Sequence, residues 1–459
     1  MTQEEHHGWG YVLLVSMVAA LGGLLFGYDT AVISGSIGYV VAHFELSPHQ
    51  EGWAAGSALI GCIIGALVAG TLSDAIGRRR VLIVSAVLFG ISAVFSAVPQ
   101  SLGQLAAARI IGGIGVGAAS LLSPLYIAEI APARIRGRLV SVNQFAIVFG
   151  MLVVYFVNAY IARLGETIGG EAWNIAYGWR WMFGSETLPA VIFLVLLFFV
   201  PESPRWLIKR GQTDKARAIL NSVGGARHAD TAVADIEATL RQERGSILEL
   251  FEPGFRIALV IGIVLAVLQQ ITGINVVLYY APRIFQSAGL GAVDAIGETV
   301  FVGIINILFT VVAILVVDRL GRKPLLLLAS AGMGISLFLL GGVFELGRFE
   351  GRLVLIFVLT YVASFAVAMG PVVWVVMSEI FPTRVRGAAM SIATVLLWAT
   401  NYVVSQSFPW MLDTFAGRSF FFFGIMCVIA FVFVAAVLPE TKGKSLEDIE
   451  RYWMGEGRT

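Results

Sequence analysis

Two charged side chains lie deep inside apolar stretches of the sequence. Asp29 falls within the first long apolar run, and Arg109 falls within the fourth. A charge at the centre of a membrane helix costs about 2.5–3.5 kcal/mol on insertion scales, so we expect these two residues to pair. The aspartate can accept a proton whereas the arginine stays charged, so protonation of Asp29 would break the pair. A fixed buried salt bridge is the alternative interpretation.

Uncharged polar side chains crowd into twelve positions of the seventh apolar run, namely Gln269, Gln270, Asn275, Tyr279 and Tyr280. In a straight helix Gln270 and Asn275 would point about 140° apart, so both face one cavity only if the helix breaks at Thr272-Gly273. Buried amides both donate and accept hydrogen bonds, which suits a ligand whose groups do the same. Hydrogen bonds between helices are the alternative for the amides, and gate or membrane-interface positions are the alternative for the tyrosines.

The composition indicates that these residues sit in an integral membrane protein. The 459 residues are 58% hydrophobic and 13% charged, with a mean hydropathy of +0.85, whereas soluble proteins average about 45–50% apolar and 25% charged residues. A net charge of +1 excludes a basic nucleic-acid-binding surface. Cys62 and Cys427 lie in apolar runs without metal-ligand spacing, so neither a metal site nor a disulfide framework is expected.

The apolar runs predict twelve membrane-spanning helices, because a bilayer core of about 30 Å needs about 20 apolar residues. Of the 31 basic residues, 24 lie in loops on one side of these spans, six lie on the other side, and Arg109 lies within a span. The positive-inside rule therefore places both termini and the long middle loop in the cytoplasm. The predicted spans are 11–34, 52–73, 81–98, 104–128, 139–162, 183–200, 256–281, 296–317, 324–342, 353–378, 387–410 and 418–438.

An internal repeat divides the chain into two similar parts. The segments that begin at Asp74, Glu129 and Pro201 recur 244, 250 and 238 residues later, after the corresponding spans. The predicted fold class is an all-α membrane protein with twelve transmembrane helices in two parallel six-helix halves, joined by a cytoplasmic helical linker. The expected boundaries are an N-terminal half at 1–200, a linker at 201–255, a C-terminal half at 256–438 and a cytoplasmic tail at 439–459.

The repeated motifs resemble those of the sugar porter family of the major facilitator superfamily. Segment 70–80 resembles the loop signature of the superfamily, and segments 201–207, 269–275 and 439–443 resemble sugar porter motifs, in order along nearly the whole chain. The resemblance is greatest to the bacterial proton-coupled xylose and glucose symporters. The animal facilitative carriers, which mostly have Asn at the position of Asp29, are less similar.

This resemblance implies secondary active transport of a monosaccharide with a proton by alternating access, in a bacterial inner membrane. It implies no cofactor beyond the proton as coupling ion, and its expected partners are a small monosaccharide and membrane lipid, with no nucleic acid and a monomeric chain. A facilitative sugar uniporter and a sugar sensor are the alternatives. An enzyme is not expected because the sequence carries no catalytic motif, and the glycines of 112–117 follow an apolar helix, which favours helix packing over nucleotide binding.

The resemblance also implies a sugar-binding pocket, in which Gln144 and Asn306 match family positions. Sugar rings present C–H patches and hydroxyls, so aromatic faces with amide rims are the expected lining. Leu397 stands where relatives commonly carry an amide, which leaves xylose, glucose, galactose and inositol open as substrates. The expected substrate-binding residues are Phe26, Gln144, Gln269, Gln270, Asn275, Tyr279, Asn306, Trp374, Trp398 and Asn401.

Charged residues of the repeated cytoplasmic motifs are the expected gating ion pairs. We expect them to form when the halves close on the cytoplasmic side, and a role in topology alone is the alternative. In the linker, amphipathic helices are expected at 214–220 and 232–240, packed beneath the bundle. The expected pairs are Asp74 with Arg78, Glu129 with Arg136, Asp318 with Arg322 and Glu379 with Arg386, together with Glu202 and Glu440.

Overall fold

A computed structural model describes residues 9–132, 135–242, 247–347, 351–381 and 385–442, and the regular secondary structure in these ranges is entirely helical. The first six membrane crossings use seven α-helices. These are α1 (Trp9–Phe44), α2 (Pro48–Ile76), α3 (Arg78–Ala97), α4 (Leu102–Ile130), α5 (Arg136–Trp173), α6 (Trp179–Gly184) and α7 (Thr187–Leu197). A π-helical segment, Asn174–Gly178, joins α5 to α6.

The linker contains α8 (Pro204–Lys209), α9 (Thr213–Gln242) and a short 3₁₀ helix, Ile247–Phe251. The two predicted amphipathic segments lie in α9, on either side of a break at Gly224 and Gly225. Their apolar residues, among them Leu220 and Val233, form a separate small core with Trp206 of α8. The indole of Trp206 donates to the Asp74 carbonyl at 3.0 Å, which fastens the linker beneath α2.

The last six crossings use the remaining eight α-helices and a second π-helical segment, Phe365–Met369. The α-helices are α10 (Pro253–Ile271), α11 (Ile274–Ser287), α12 (Ala292–Leu320), α13 (Arg322–Glu345), α14 (Gly351–Ser364), α15 (Pro371–Ile380), α16 (Arg386–Phe415) and α17 (Arg418–Ala436).

Eleven helical segments of the described residues are long and apolar enough to cross a membrane. One of them, Arg136–Leu197, has 62 residues, which at 1.5 Å per residue would span about 93 Å as one helix, three times the bilayer core. Its backbone leaves helical geometry at Gly169 and Gly170, and Gly170 has φ 68°. The segment therefore crosses twice, as the predicted spans 139–162 and 183–200 require, and the twelve-span fold is confirmed.

The glycines of 112–117 bring α4 into direct contact with α2. A Cβ atom at Gly113 would meet the Ala58 carbonyl, and one at Gly117 would meet the Cys62 carbonyl. Small residues permit such close backbone approach, as expected for packing inside a membrane. Between the first six crossings and the last six, α2 packs on α16, α5 on α12 and α1 on α11.

Candidate functional site

Asp29 and Arg109 form a buried ion pair between α1 and α4. The Arg109 Nη1 atom lies 2.5 Å from Asp29 Oδ1, and Nη2 donates to the Asp29 backbone carbonyl at 2.9 Å. The two side chains are 0% and 2% exposed. Asp29 Oδ2 has no hydrogen-bond partner among the described residues, so one carboxylate oxygen remains available to a proton.

Glu186 is a third buried ionisable residue beside this pair, and the sequence interpretation did not include it. It lies at the junction of α6 and α7, is 1% exposed, and its carboxyl group is within hydrogen-bonding reach of the Asp29 carboxyl. Glu186 therefore adds a second buried acidic side chain beside the single arginine of the pair. The signal was available, since Glu186 is an acidic residue inside the predicted sixth span.

The helix break expected in the seventh span is present and aligns the amides. Gly273 has φ 94°, a left-handed conformation that separates α10 from α11. Across the break, Asn275 Nδ2 donates to Gln270 Oε1 at 2.6 Å, and Gln270 Nε2 donates to Gln269 Oε1 at 3.3 Å. The hydroxyl of Tyr361 donates to the Thr272 carbonyl at 2.9 Å, which satisfies a carbonyl freed by the break.

The tenth span is interrupted next to the same amides. Gln269 Nε2 donates to the carbonyls of Met369 and Gly370 at 2.8 and 3.2 Å, where the second π-helical segment ends. Trp374 follows one turn later in α15 and is half-buried. Gln269 therefore connects the interruptions of the seventh and tenth spans, and it is also a candidate for sugar binding.

Aromatic and amide groups meet beside the ion pair. The rings of Phe26 and Trp398 have centroids 5.6 Å apart and planes inclined at 59°. Trp398 Nε1 and Asn401 Nδ2 are buried donors without a partner among the described residues. An unpaired buried donor costs about 1–3 kcal/mol, so this wall suits a ligand with acceptor groups. Phe26 lies one helical turn before Asp29, which connects the aromatic wall to the charged pair.

The remaining pocket candidates are distributed around this centre. Gln144 is half-buried on α5, and Tyr279 is 3% exposed on α11. Asn306 of α12 is 5% exposed and its amide lies 3.9 Å from Met151 Sδ of α5. Tyr280, in contrast, donates to the Ser405 carbonyl at 2.9 Å and thereby fixes α11 to α16.

A charged network connects the ends of the first six spans on the side that the sequence predicts to be cytoplasmic. Arg78 Nη1 lies 2.7 Å from Asp74 Oδ1, and Arg78 Nε lies 3.1 Å from Glu129 Oε2. Ser203 of the linker donates a hydrogen bond to Glu129. Glu202 accepts the Arg79 backbone N–H at 3.1 Å at the start of α3.

The repeated motifs build a second network of the same kind in the last six spans. Arg322 lies 2.8 Å from Glu379 and 3.3 Å from Asp318. Glu440 accepts the backbone N–H groups of Arg322 and Lys323, each at 3.0 Å. Burial raises the pKa of Glu440, but these donors and those of the tail lower it further, so the pKa lies below its ordinary value.

One expected pair is wrong, because Glu129 pairs with Arg78 rather than Arg136. Glu379 pairs with Arg322, and its expected contact with Arg386 stays a prediction. The arginine that begins the neighbouring helix, α3 or α13, lies beside the end of the glutamate's helix, whereas Arg136 is exposed and Arg386 Nε donates to the Phe381 carbonyl. The pairs Arg78–Glu129 and Arg322–Glu379 each stay inside one set of six spans.

Comparison with known proteins identifies a family and several transporters that this chain resembles. The profile of the family described as "Sugar (and other) transporter" matches residues 15–453. The arabinose-proton symporter of Bacillus subtilis strain 168 is 44% identical over 98% of this chain and 96% of its own length. The D-xylose-proton symporter of Escherichia coli strain K12 is 46% identical over 97% of this chain and 96% of its own length. A solved structure of the xylose transporter XylE from E. coli, in a partially occluded inward open conformation, has a TM-score of 0.86 and 45% identity, covering 95% of this chain and 100% of that chain.

Proposed function

The chain belongs to the sugar transporter family, and from that membership we propose that it moves a monosaccharide together with a proton by alternating access. We place it in a bacterial inner membrane, as a monomer with both termini in the cytoplasm. The observation that carries proton coupling is the buried Asp29–Arg109 pair, in which one aspartate oxygen is unpartnered. A carboxylate that is already paired with a permanent cation can change its bonding when a proton arrives.

In the proposed cycle, protonation of Asp29 releases Arg109 and allows α1 and α4 to shift relative to each other. Sugar binding at the wall of Phe26 and Trp398 favours the same shift, because Phe26 lies one helical turn from Asp29 on α1. The empty carrier returns after Asp29 has lost its proton and the pair has re-formed. A membrane potential of 100 mV is worth about 2.3 kcal/mol per charge, so one proton could support roughly fifty-fold accumulation.

We propose that the sugar hydroxyls bond to the amide chain of Gln269, Gln270 and Asn275. Each amide can donate or accept, so the chain can reorder its hydrogen bonds around a ligand. A pentose is the favoured substrate because the two relatives named above carry arabinose and xylose in their names. Counterflow in proteoliposomes with L-arabinose, D-xylose and D-glucose tests this choice.

The proton role is tested by Asp29→Asn, which keeps the side-chain shape and removes the titration. We expect sugar uptake driven by a proton gradient to be abolished and sugar counterflow to be retained. Glu166→Gln, which neutralises an exposed acid far from the pair, is the matched control and should leave both activities intact.

Both assays are run on the same reconstituted preparation, so a folding defect would reduce counterflow as well. If the wild-type protein shows counterflow but no uphill accumulation in a proton gradient, and sugar addition moves no protons, the facilitative uniporter replaces the symporter. If Asp29→Asn still accumulates sugar against its gradient, another group carries the proton, and Glu186 is the first to test.

A further inference from the structure

A cluster of charged residues joins the two halves at the membrane face opposite the cytoplasmic networks. Arg283, near the end of α11, forms an ion pair with Glu51 in the first turn of α2. It also lies 2.7 Å from Asp413 near the end of α16. The side chain of Glu51 is only 3% exposed, whereas Arg283 is 24% and Asp413 45% exposed.

Other contacts reinforce the same junction between α2 and α16. Gln406 Nε2 donates to the His49 carbonyl at 2.8 Å, and the rings of His49 and Trp410 stack with centroids 6.2 Å apart. A Cβ atom at Gly52 would meet the Gln406 carbonyl, so the two backbones are in contact. The start of α2 and the end of α16 are thereby held together.

This junction differs from the cytoplasmic networks in what it connects. The ion pairs Arg78–Glu129 and Arg322–Glu379 each stay within one half, whereas Glu51–Arg283 joins the first six spans to the last six. An ion pair inside one half is unaffected by rigid movement of the halves. A pair between halves must break when they separate, so it biases the conformational equilibrium.

The charged cluster also borders a cavity. A cavity of about 280 Å³ is lined by Glu51, Arg283 and Asp413 together with Ser34 and Tyr39 of α1. The hydroxyls of Ser34 and Tyr39 are buried beside it and have no hydrogen-bond partner among the described residues. A contact at the edge of the bundle would not border such a space.

We propose that Glu51, Arg283 and Asp413 form the extracellular gate of the transport cycle. Their pairing holds the halves together while the extracellular side is closed, and it breaks when that side opens and water hydrates the separated charges. Closure is favoured because it pairs the buried carboxylate of Glu51 with an arginine that Asp413 also contacts. This inference rests on the alternating access proposed above, but it does not depend on proton coupling.

The gate is tested by distance measurements between spin labels at Gln100→Cys and Gly291→Cys, two exposed extracellular positions in different halves. The native cysteines are buried, so labelling is confined to the introduced ones. Spectra are recorded without sugar and without a gradient. Arg283→Gln should raise the ratio of outward-open to outward-closed molecules about tenfold, the effect of a bias near 1.4 kcal/mol.

Arg418→Gln is the matched control, because Arg418 pairs with Glu345 at 3.8 Å on the same face but within one half. It should leave the distance distribution unchanged. If Arg283→Gln does not yield folded protein, Asp413→Asn tests the same contact through its exposed member, and a shift of about two- to threefold is expected.

The gate proposal is refuted if the distance distribution between the labels is unchanged in the folded gate variants. It is also refuted if Arg418→Gln shifts that distribution as much as they do. Failure of symport would show itself elsewhere, in the Asp29→Asn uptake assay, because the label distances are measured with no proton gradient. A shift confined to the gate variants supports the inference whether or not a proton is carried.

Discussion

The break at Gly273 should be the position in the pocket least tolerant of a single added methyl group. Gly273 has φ 94°, and an alanine held in a left-handed conformation costs about 1–2 kcal/mol. The new Cβ would also lie 2.9 Å from Phe423 Cδ1 of α17, so the ring must move. Overpacking of this kind costs about 1–3 kcal/mol. Because the conformational cost and the overpacking cost add, Gly273→Ala should lower the free energy of unfolding by about 2–5 kcal/mol.

Gly342→Ala provides a control with the same chemical change and the opposite expected sign. Gly342 lies in α13, and no atom lies within 4 Å of its added Cβ. Alanine is favoured over glycine in a helix by about 0.5–1 kcal/mol, so this variant should be slightly more stable than wild type. Neither change alters charge or polarity.

Unfolding is followed in mixed micelles by titration with a denaturing detergent, and sugar affinity is measured by calorimetry on the same samples. If the break shifts in Gly273→Ala, Asn275 no longer reaches Gln270 and affinity should fall about tenfold, within the 1–3 kcal/mol expected for an unpaired buried group. Equal stability of the two variants would show that the left-handed conformation is not needed, and the account of the pocket would fail.

Two further predictions concern the amide chain and the cytoplasmic ends. Gln270→Ala removes the acceptor of Asn275 and should weaken sugar binding by about 1–3 kcal/mol with the fold intact. Sugar affinity is measured by calorimetry, with the exposed Gln212→Ala as control, and an unchanged affinity would show that Gln270 does not bind the sugar. Glu440→Gln should lower the melting temperature equally at all pH values above about 6, because the depressed pKa of Glu440 keeps its carboxylate charged there. The difference should shrink as the pH falls below 4.5, because the unfolded chain takes up a proton at this ordinary glutamate pKa and the folded protein does so only at a lower pH. A difference that grows in acid would contradict the sign of this shift.

The architecture could be predicted from the sequence because bilayer thickness leaves little freedom. Every span is an apolar run of nearly fixed length, and the repeat at Asp74 and Asp318 supplies the symmetry. The Asp29–Arg109 pair followed for a similar reason, since both charges lie in apolar surroundings and each offers the nearest compensation for the other. The break at Gly273 was predictable because two amides five residues apart require it.

The partners of the charged residues in ion pairs were harder to predict from the sequence, because they depend on which helix ends lie next to each other in the fold. Glu129 has several arginines nearby in sequence, and only the position of α3 beside α4 selects Arg78 over Arg136. Glu51 lies one residue before the predicted second span, so it read as an ordinary loop charge. Its partner Arg283 is 232 positions away, and no spacing rule connects them.

The contacts of the two membrane faces differ in when they can form during synthesis. Asp74, Arg78, Glu129 and Ser203 all lie near or before the end of the sixth crossing, so the first cytoplasmic network can assemble while the rest of the chain is still on the ribosome. The 210 residues between Ser203 and Asp413 take about 10–40 s to translate at 5–20 residues per second. Glu51, at the water-facing end of α2, waits through the first 80 of these residues for Arg283 and through all of them for Asp413. Formation of the Glu51–Arg283–Asp413 cluster is thus a late event of biogenesis, and its presence marks a chain whose two halves have docked.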